Sequence, residues 1–492
     1  MKVFKSITYS VTNLFKNTLF KNSGWGIVSQ LSQTVFLSLF FVILARKYPT
    51  GIFAKYIIAN AIYQLVTAFS TMGLSQWFIR EFIETNDKTG LVNRFLKLQI
   101  YFGFGFYLIN VLLAYAIYDD RFTRILIIVF GVNVIFDNVI NAIKCLNVAM
   151  FEQKKTFILL TIESLLKFLA GCVLFIYPFS IISLSIILIG IRFLTLNLFL
   201  NFGSSNSVNI RSLLKFKVSF LDVKTLVIIN WAFIIIGGVS IINWRVANII
   251  ISKMLTSFDV ANYEISFKIF SIAQILPVVV STSVFPMLIK LYNEQHGKFL
   301  TFYKQVHLYY LLFGLFAYTF IYSFAGKLIP LVFGVSYNSN AEYTKIMFLT
   351  ILVFPTALLQ ANVLITMKLE KLDMALNIVA LIINFSMCLI GLHYIRSLNI
   401  VNYSIFASFL IFHIAQDFIL VKRGVTSIRS ALSFYLFSAA FIYGYIQFSS
   451  LLNPYFLFIV VWGVVTSVII LNKKLGIFNS GPVVHNTIIN QQ

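Results

Sequence analysis

Charge is what this sequence has least of. Only 11% of its 492 residues are Asp, Glu, Lys or Arg, against about 25% in a soluble domain, and no segment is polar enough to fold as a separate water-exposed domain. Cysteine is nearly missing as well. Cys145, Cys172 and Cys388 all fall in apolar runs without metal-ligand spacing, so they read as small core residues, and neither a disulfide framework nor a metal site is expected. No glycine-rich phosphate loop and no nucleophile–base spacing is present, so the chain is expected neither to be an enzyme nor to carry a cofactor. No basic run is long or interleaved with aromatics, so the formal charge of +22 does not argue for a nucleic-acid partner.

What is abundant is apolar surface. The chain is 59% hydrophobic with a mean hydropathy of +0.90. Apolar runs recur from end to end, each long enough to cross a hydrocarbon core of about 30 Å. The pattern predicts an all-α polytopic membrane protein with about 14 transmembrane helices. These lie near 23–45, 54–79, 96–118, 125–150, 157–177, 181–201, 226–252, 260–289, 306–332, 343–367, 373–395, 401–421, 431–449 and 454–471. The fourth and eighth are the longest and should tilt or extend past the bilayer.

The basic excess fits this layout. With both termini in the cytoplasm, inner segments hold about 24 of the 38 Lys+Arg, outer loops about 9 and the spans 5, as the positive-inside bias requires. Residues 1–21 place Phe4, Ile7, Val11, Leu14, Phe15 and Leu19 on one face, which predicts a short basic amphipathic helix in the membrane interface. The apolar stretch after it is too long for a cleaved signal and lacks a small-residue cleavage site.

The chain also repeats itself. AKYIIANAIY at 54–63 aligns with ANYEISFKIF at 261–270, and at the same offset Arg46 meets Lys253. An offset of six spans predicts parallel copies related by an axis along the membrane normal. The expected organisation is an N-terminal six-helix lobe over 1–203, preceded by the interfacial helix 1–21. A cytoplasmic linker comes next over 204–224, then a second six-helix lobe over 225–421. Two extra transmembrane helices and a cytoplasmic tail complete the chain over 422–492.

Five basic residues lie inside spans: Lys144, Lys167, Arg192, Arg245 and Lys268. A cation at mid-membrane costs about 2.5–3.5 kcal/mol on the insertion scale, and such residues normally face the bundle interior or a water path. Together with Arg46 at the end of the first span, they predict a cationic lumen and an anionic cargo. Glu163 and Lys167, and Glu264 and Lys268, stand four apart. Asp137 and Lys144 stand seven apart on one helix face. These spacings suggest neutralised pairs or groups that open to bind phosphate or a proton. Arg192 and Arg245 have no acidic residue within a turn, so each needs water, a partner from another helix, or a ligand, or else snorkels to a lipid headgroup; the planar fork of arginine suits phosphate, and Arg245 is the one expected to face the lumen. Glu264, Glu163, Asp137 and Asp417 are candidates for H⁺ or Na⁺ coupling. His393 and His413 read more readily as membrane histidines bonded to a neighbouring helix than as a proton relay. Tyr56, Tyr63 and Tyr263 are candidates to line a sugar path.

At this point a resemblance enters. Trp25, Gln30, Ala45-Arg46, Gly51, Phe53, Tyr56 and Gly73-Leu74, then Tyr263, Pro277, Phe285-Pro286, Gly334 and Tyr337, resemble the O-antigen/polysaccharide flippases. That family lies within the MATE-like multidrug/oligosaccharidyl-lipid/polysaccharide exporter superfamily. The resemblance spans about 420 residues. It implies two six-helix lobes in a V, alternating access, location in the bacterial inner membrane, and cargo built on undecaprenyl pyrophosphate. Such cargo is an O-antigen, capsule or exopolysaccharide repeat unit. The partners it implies are that lipid-linked oligosaccharide, membrane lipids and other polysaccharide assembly proteins. Many members carry an acidic residue in the seventh span where this chain reads Asn243-Trp244-Arg245-Val246-Ala247-Asn248. The alternatives are a lipid II flippase and a MATE-type multidrug/cation antiporter, the latter disfavoured by the intramembrane cations. A membrane-embedded polysaccharide polymerase would need a sizeable external loop or domain that this chain lacks.

Overall fold

A computed structural model of the chain describes residues 18–71, 74–150, 152–203, 242 and 244–475. Within these residues it is helical throughout, with no strand. In lipid every backbone polar group must be satisfied inside the segment, and the long runs of Leu, Ile, Val and Phe do this as helices. The elements are α1 (Thr18–Lys47), α2 (Thr50–Ser70), α3 (Leu74–Glu84), α4 (Lys88–Ile117), α5 (Arg121–Ala149), α6 (Gln153–Val173) and α7 (Ile181–Phe202). After a helical stretch at 244–254, here α8, come α9 (Ser257–Glu294), α10 (His296–Phe333), α11 (Asn340–Met347), α12 (Phe354–Thr366), α13 (Glu370–Tyr394), α14 (Leu398–Lys422), α15 (Ile428–Leu451) and α16 (Pro454–Leu475).

Thirteen stretches of the described residues are long and apolar enough to span a membrane. They match thirteen of the expected spans. The seventh, 226–252, lies mostly outside the described residues, as do most of the interfacial helix 1–21, the linker 204–224 and the end of the tail. Polar side chains set several helix starts by accepting a first-turn backbone N–H. Asp87 receives that of Gly90, Asp120 that of Thr123 and Ser180 that of Ser183. Thr256 and Asp259 form a reciprocal capping box at the start of α9.

Three boundaries differ from the sequence expectation. The first helix already runs from Thr18, so 18–21 continue the first span. The second span ends at Ser70, and the rest of the expected span belongs to a separate helix, α3, which buries Leu74, Phe78 and Phe82 against α5. At 11 residues, about 17 Å at 1.5 Å per residue, α3 is too short to cross a core of about 30 Å. The tenth span is not one α-helix: α11 gives way to a 3₁₀ turn at Phe348–Leu352 before α12. Pro355 at the start of α12 cannot donate to the carbonyl four residues back, so the helix must restart there. α9 and α10 are each 38 residues, about 57 Å at 1.5 Å per residue, and extend well past a core of about 30 Å.

The helices gather into two bundles. In the first, α1 lies on α6, α4 and α2 on α5, and α7 on α5 and α6. In the second, α13 lies on α14, and α9, α10 and α12 surround α11 and the 3₁₀ turn. α15 and α16 attach to the outside of α10. The bundles meet chiefly where α2 runs beside α9, with a smaller contact between α1 and α10. These meeting helices α2 and α9 carry the two copies of the sequence repeat.

Candidate functional site

The bundles are held together at one face. Arg46, at the end of α1, donates through Nε to the Val332 carbonyl at 2.6 Å and through Nη2 to that of Leu331. Those carbonyls end α10, where a cation is favoured by the helix dipole. In the opposite sense, the end of α8 reaches the first bundle. Ser252 shares a 2.6 Å hydrogen bond with the Tyr118 hydroxyl, and the Lys253 ammonium lies 4.6 Å over the Tyr118 ring. Arg46 and Lys253 are the residues that the repeat aligned. Gly334, at φ +105°, supplies the turn after α10 that an L side chain would strain. Tyr337 is buried just beyond it.

Between the bundles lies a polar cavity of about 440 Å³. Lys167 and Arg192 enter from the first bundle, and Arg245, Glu264 and Lys268 from the second. Asn60, Gln64, Asn133, Tyr56 and Tyr63 add uncharged polar groups, and Phe40, Phe41, Phe130 and Phe267 supply walls. Asn60 and Gln64 are four apart on the same helix as Tyr56 and Tyr63, a polar face that sequence reading could have registered and did not.

The charges are paired, but not along single helices as their spacing suggested. Asp137 does not reach Lys144, two turns and about 10 Å further along α5. It accepts instead from Arg192 Nε at 2.6 Å and from the Tyr63 hydroxyl. Arg192 also bonds Glu163, whose other oxygen meets Lys167 Nζ at 2.6 Å. The expected Glu163–Lys167 pair is therefore present, joined to a cross-helix network. Glu264 is claimed from α8 rather than by Lys268: Arg245 Nη1 lies 2.9 Å from one oxygen and Asn248 Nδ2 donates to the other at 2.8 Å. The Arg245 guanidinium also stacks 5.0 Å from the Phe267 ring. Of the alternatives left open for the arginines, each has a carboxylate on another helix, which no single-helix spacing could show.

Lys268 is left over. It makes no ion pair among the described residues, and its ammonium lies 6.0 Å from the Phe41 ring. It borders a second space, an almost wholly apolar groove of about 390 Å³ between α1, α9 and α10, with Val35, Leu39, Ile272 and Phe320 among its walls. Val35, Leu39 and Ile272 are exposed on the outer surface of the bundle.

Other expected site residues fall elsewhere. Lys144 is half-buried and is not part of the cavity wall. Arg46 belongs to the clasp between bundles, because the free carbonyls ending α10 attract it. Tyr56 and Tyr63 line the cavity. Tyr263 does not, being fully buried with its hydroxyl 3.3 Å from the Trp244 carbonyl. Asp417 lies in the second bundle away from the cavity. His413 bonds the Tyr435 hydroxyl of the next helix at 2.6 Å, while His393 is exposed at the end of α13. Among the described residues no His/Cys/Asp/Glu group could hold a metal ion.

A family model described as polysaccharide biosynthesis protein matches residues 43–342. Among solved structures, the chain is similar to the lipid II flippase MurJ in an inward closed conformation. The identity is 15% and the TM-score 0.67, over 94% of this chain and 99% of that one. It is also similar to a multidrug resistance MATE family transporter of the MOP superfamily in an inward-facing conformation, with 12% identity and a TM-score of 0.65 over 81% and 98%. A MOP superfamily transporter from Pyrococcus furiosus, described by the reverse polarity of its binding pocket, matches at 12% identity and a TM-score of 0.55 over 82% and 95%. At these identities the likeness establishes the MATE-like fold. No curated protein sequence matches the chain significantly.

Proposed function

The chain belongs to the polysaccharide biosynthesis protein family, and from that premise we propose that it is a flippase. Its cargo on this reading is an oligosaccharide linked to a polyprenyl diphosphate such as undecaprenyl pyrophosphate. It carries that cargo across the bacterial inner membrane by alternating access, with both termini in the cytoplasm. One observation carries the reading: Lys268 borders both a polar cavity and an apolar groove open on the lipid-facing side. A molecule spanning that boundary has a hydrocarbon part, a polar part and negative charge at the junction. A polyprenyl-diphosphate sugar has this order of chemistry. The tail stays in the groove, the diphosphate meets Lys268, and the glycan lies against Tyr56, Tyr63, Asn60 and Gln64.

The charge balance refines the expected cationic lumen. Four cations face the cavity, and three carboxylates, Asp137, Glu163 and Glu264, hold three of them within ion-pair distance. The surplus is about one positive charge, and it is Lys268. An extruder of cationic drugs would instead need an unpaired carboxylate in the cavity. A lipid II flippase has the same requirements as the leading reading, since its cargo is also a polyprenyl-diphosphate sugar. A polymerase reading would require new glycosidic bonds. Accessory ions, H⁺ or Na⁺, and other polysaccharide assembly proteins are partners consistent with this role.

The test is export in a strain lacking its own flippase for a lipid-linked repeat unit, with membrane abundance measured in parallel. Lys268→Gln should lose most export at unchanged abundance, because it breaks no ion pair among the described residues. Full export by this variant would defeat the reading. Longer glycans formed by the purified protein from labelled lipid-linked sugar would favour the polymerase instead.

A further inference from the structure

Four carboxylates are buried among the described residues: Asp137, Glu163, Glu264 and Asp417. The first three each lie within ion-pair distance of an arginine. Asp417, on α14, has no lysine or arginine within ion-pair distance among the described residues. Its Oδ1 accepts from Gln360 Nε2 of α12 at 2.7 Å, and its Oδ2 from the Tyr435 hydroxyl of α15 at 2.7 Å. Its own-helix neighbour His413 lies 3.4 Å away through Nδ1. A carboxylate buried without a cation is disfavoured as an ion and gains by binding a proton.

We propose that Asp417 and His413, joined by the Tyr435 hydroxyl, form a proton-binding site that couples proton uptake to transport, a role that rests on the flippase reading above. The hydrogen bonds allow two consistent arrangements. The Tyr435 hydroxyl touches both Asp417 Oδ2 and His413 Nδ1, the latter at 2.6 Å, but it has one proton to give. With Asp417 ionised, tyrosine donates to the carboxylate and His413 Nδ1–H donates to tyrosine. With Asp417 protonated, the acid donates to tyrosine, tyrosine donates to His413 Nδ1, and the ring proton sits on Nε2. Nε2 is buried without a partner among the described residues, so it is free to be the second place for the proton. The reversal takes one proton in all: the incoming proton binds Nε2, Nδ1–H passes to the tyrosine oxygen, and the tyrosine proton passes to Asp417 Oδ2.

The site has a route to water. Asp417 lines a cavity of about 500 Å³ between α10, α14 and α15, whose other walls include Lys304, His307, Thr426 and Ser430. That cavity opens near the ends of α10 and α15 where Lys298, Lys304, Lys422, Arg423 and Arg429 cluster in sequence, the face expected to be cytoplasmic. The groups facing Asp417 are Tyr303, Lys304 and His307 from α10, Gln360 from α12, Tyr435 from α15 and His413 from α14. The nearest further acid, Asp373 of α13, is engaged by Gln416 and Asn377. Both carboxylate oxygens already accept from N–H or O–H donors, an arrangement that suits a proton as the ligand. Phe434 stacks on His413 at 5.0 Å between ring centroids and meets His307 edge-to-face at 5.2 Å, so a change in the donor chain is felt where α15 grips the second lobe.

The purified full chain in lipid nanodiscs, without cargo, should show a protonated-carboxyl infrared band that disappears reversibly as pH rises. That band should be absent in Asp417→Asn, retained in Glu264→Gln, and shifted by about one pH unit or more in His413→Gln. Asparagine mimics the neutral acid in shape, so Asp417→Asn should remain folded, and Tyr435→Phe supplies a second variant that moves the titration without touching either acid or base. A band that survives in Asp417→Asn, or a titration unmoved by both His413→Gln and Tyr435→Phe, overturns the proposal. In proteoliposomes carrying a fluorescent polyprenyl-diphosphate sugar, Asp417→Asn should lose the acceleration that a pH gradient gives the wild type. Gradient-dependent flipping retained in Asp417→Asn rejects the coupling role alone, whereas no flipping by the wild type rejects the flippase reading and leaves the titration standing.

Discussion

Replacing Arg192 by Ala should unfold much of the protein, and the structure says by how much and what would restore it. Arg192 joins Asp137 and Glu163 at side-chain exposures of 17%, 8% and 4%. Once it is gone, Glu163 keeps Lys167 at 2.6 Å, but among the described residues Asp137 keeps only the Tyr63 hydroxyl. Breaking a buried pair from one side costs about 3–5 kcal/mol, roughly two to three and a half orders of magnitude in the folded-to-unfolded ratio. The loss belongs to the orphaned charge, so Asp137→Asn in the same chain should recover about 2 kcal/mol or more. The fraction surviving a heat challenge in detergent, read by size-exclusion chromatography, measures both steps. If Arg192→Ala survives heating as the wild type does, or if Asp137→Asn weakens it further, the network is not what holds these helices.

Glu264→Gln should release Arg245 into the cavity, tightening cargo binding while slowing turnover, seen as a fall of both KM and kcat in proteoliposome flipping. Gly314→Ala should cost about 1–3 kcal/mol, because its Cβ would lie 2.8 Å from the Ile351 carbonyl oxygen, whereas Gly326→Ala, with nothing within 4 Å, should be neutral in the same heat challenge. Arg46→Gln combined with Tyr118→Phe should loosen the clasped face, so that a single cysteine introduced at Asn60 reacts severalfold faster with an impermeant maleimide added from outside the cell. Reporter fusions should give a cytoplasmic signal at Gln492 and an external one at Ser450.

The spans were legible because a run of apolar residues long enough to cross lipid has one stable conformation there, the helix. Thirteen of them could be placed from composition alone. What the sequence did not show were interruptions decided locally or by packing. The second span is divided before α3, which was merged into the apolar run. The tenth is broken ahead of Pro355, where Gly314 of α10 lets the backbone at Ile351 and Leu352 approach closely. At the site, the presence of buried cations was legible and their partners were not. Spacing within one helix can suggest Glu163–Lys167, but it carries no information about which face of α7 turns toward α5, and so none about Arg192 and Asp137. The repeat was informative in a way its letters did not reveal. Its copies form the seam between lobes, and its two aligned cations, Arg46 and Lys253, each reach across to the other lobe.

On the proposed reading, the pairing of the cavity's cations bears on release as much as on binding. Four free cations around a diphosphate would hold it too firmly to let it go on the far side, and an empty cavity with four unpaired charges would be costly within the membrane. Carboxylates from neighbouring helices remove both difficulties. Asp137 and Glu163 fix Arg192 and Lys167, and Glu264 holds Arg245, so the resting cavity is nearly neutral. A diphosphate drawn in by Lys268 then gains Arg245 only by displacing Glu264 from it, exchanging one anion for another. The net gain is a difference between two similar interactions, small enough to be reversed when the lobes move. Lys268 sets where the cargo enters, and the Arg245–Glu264 pair sets how readily it leaves.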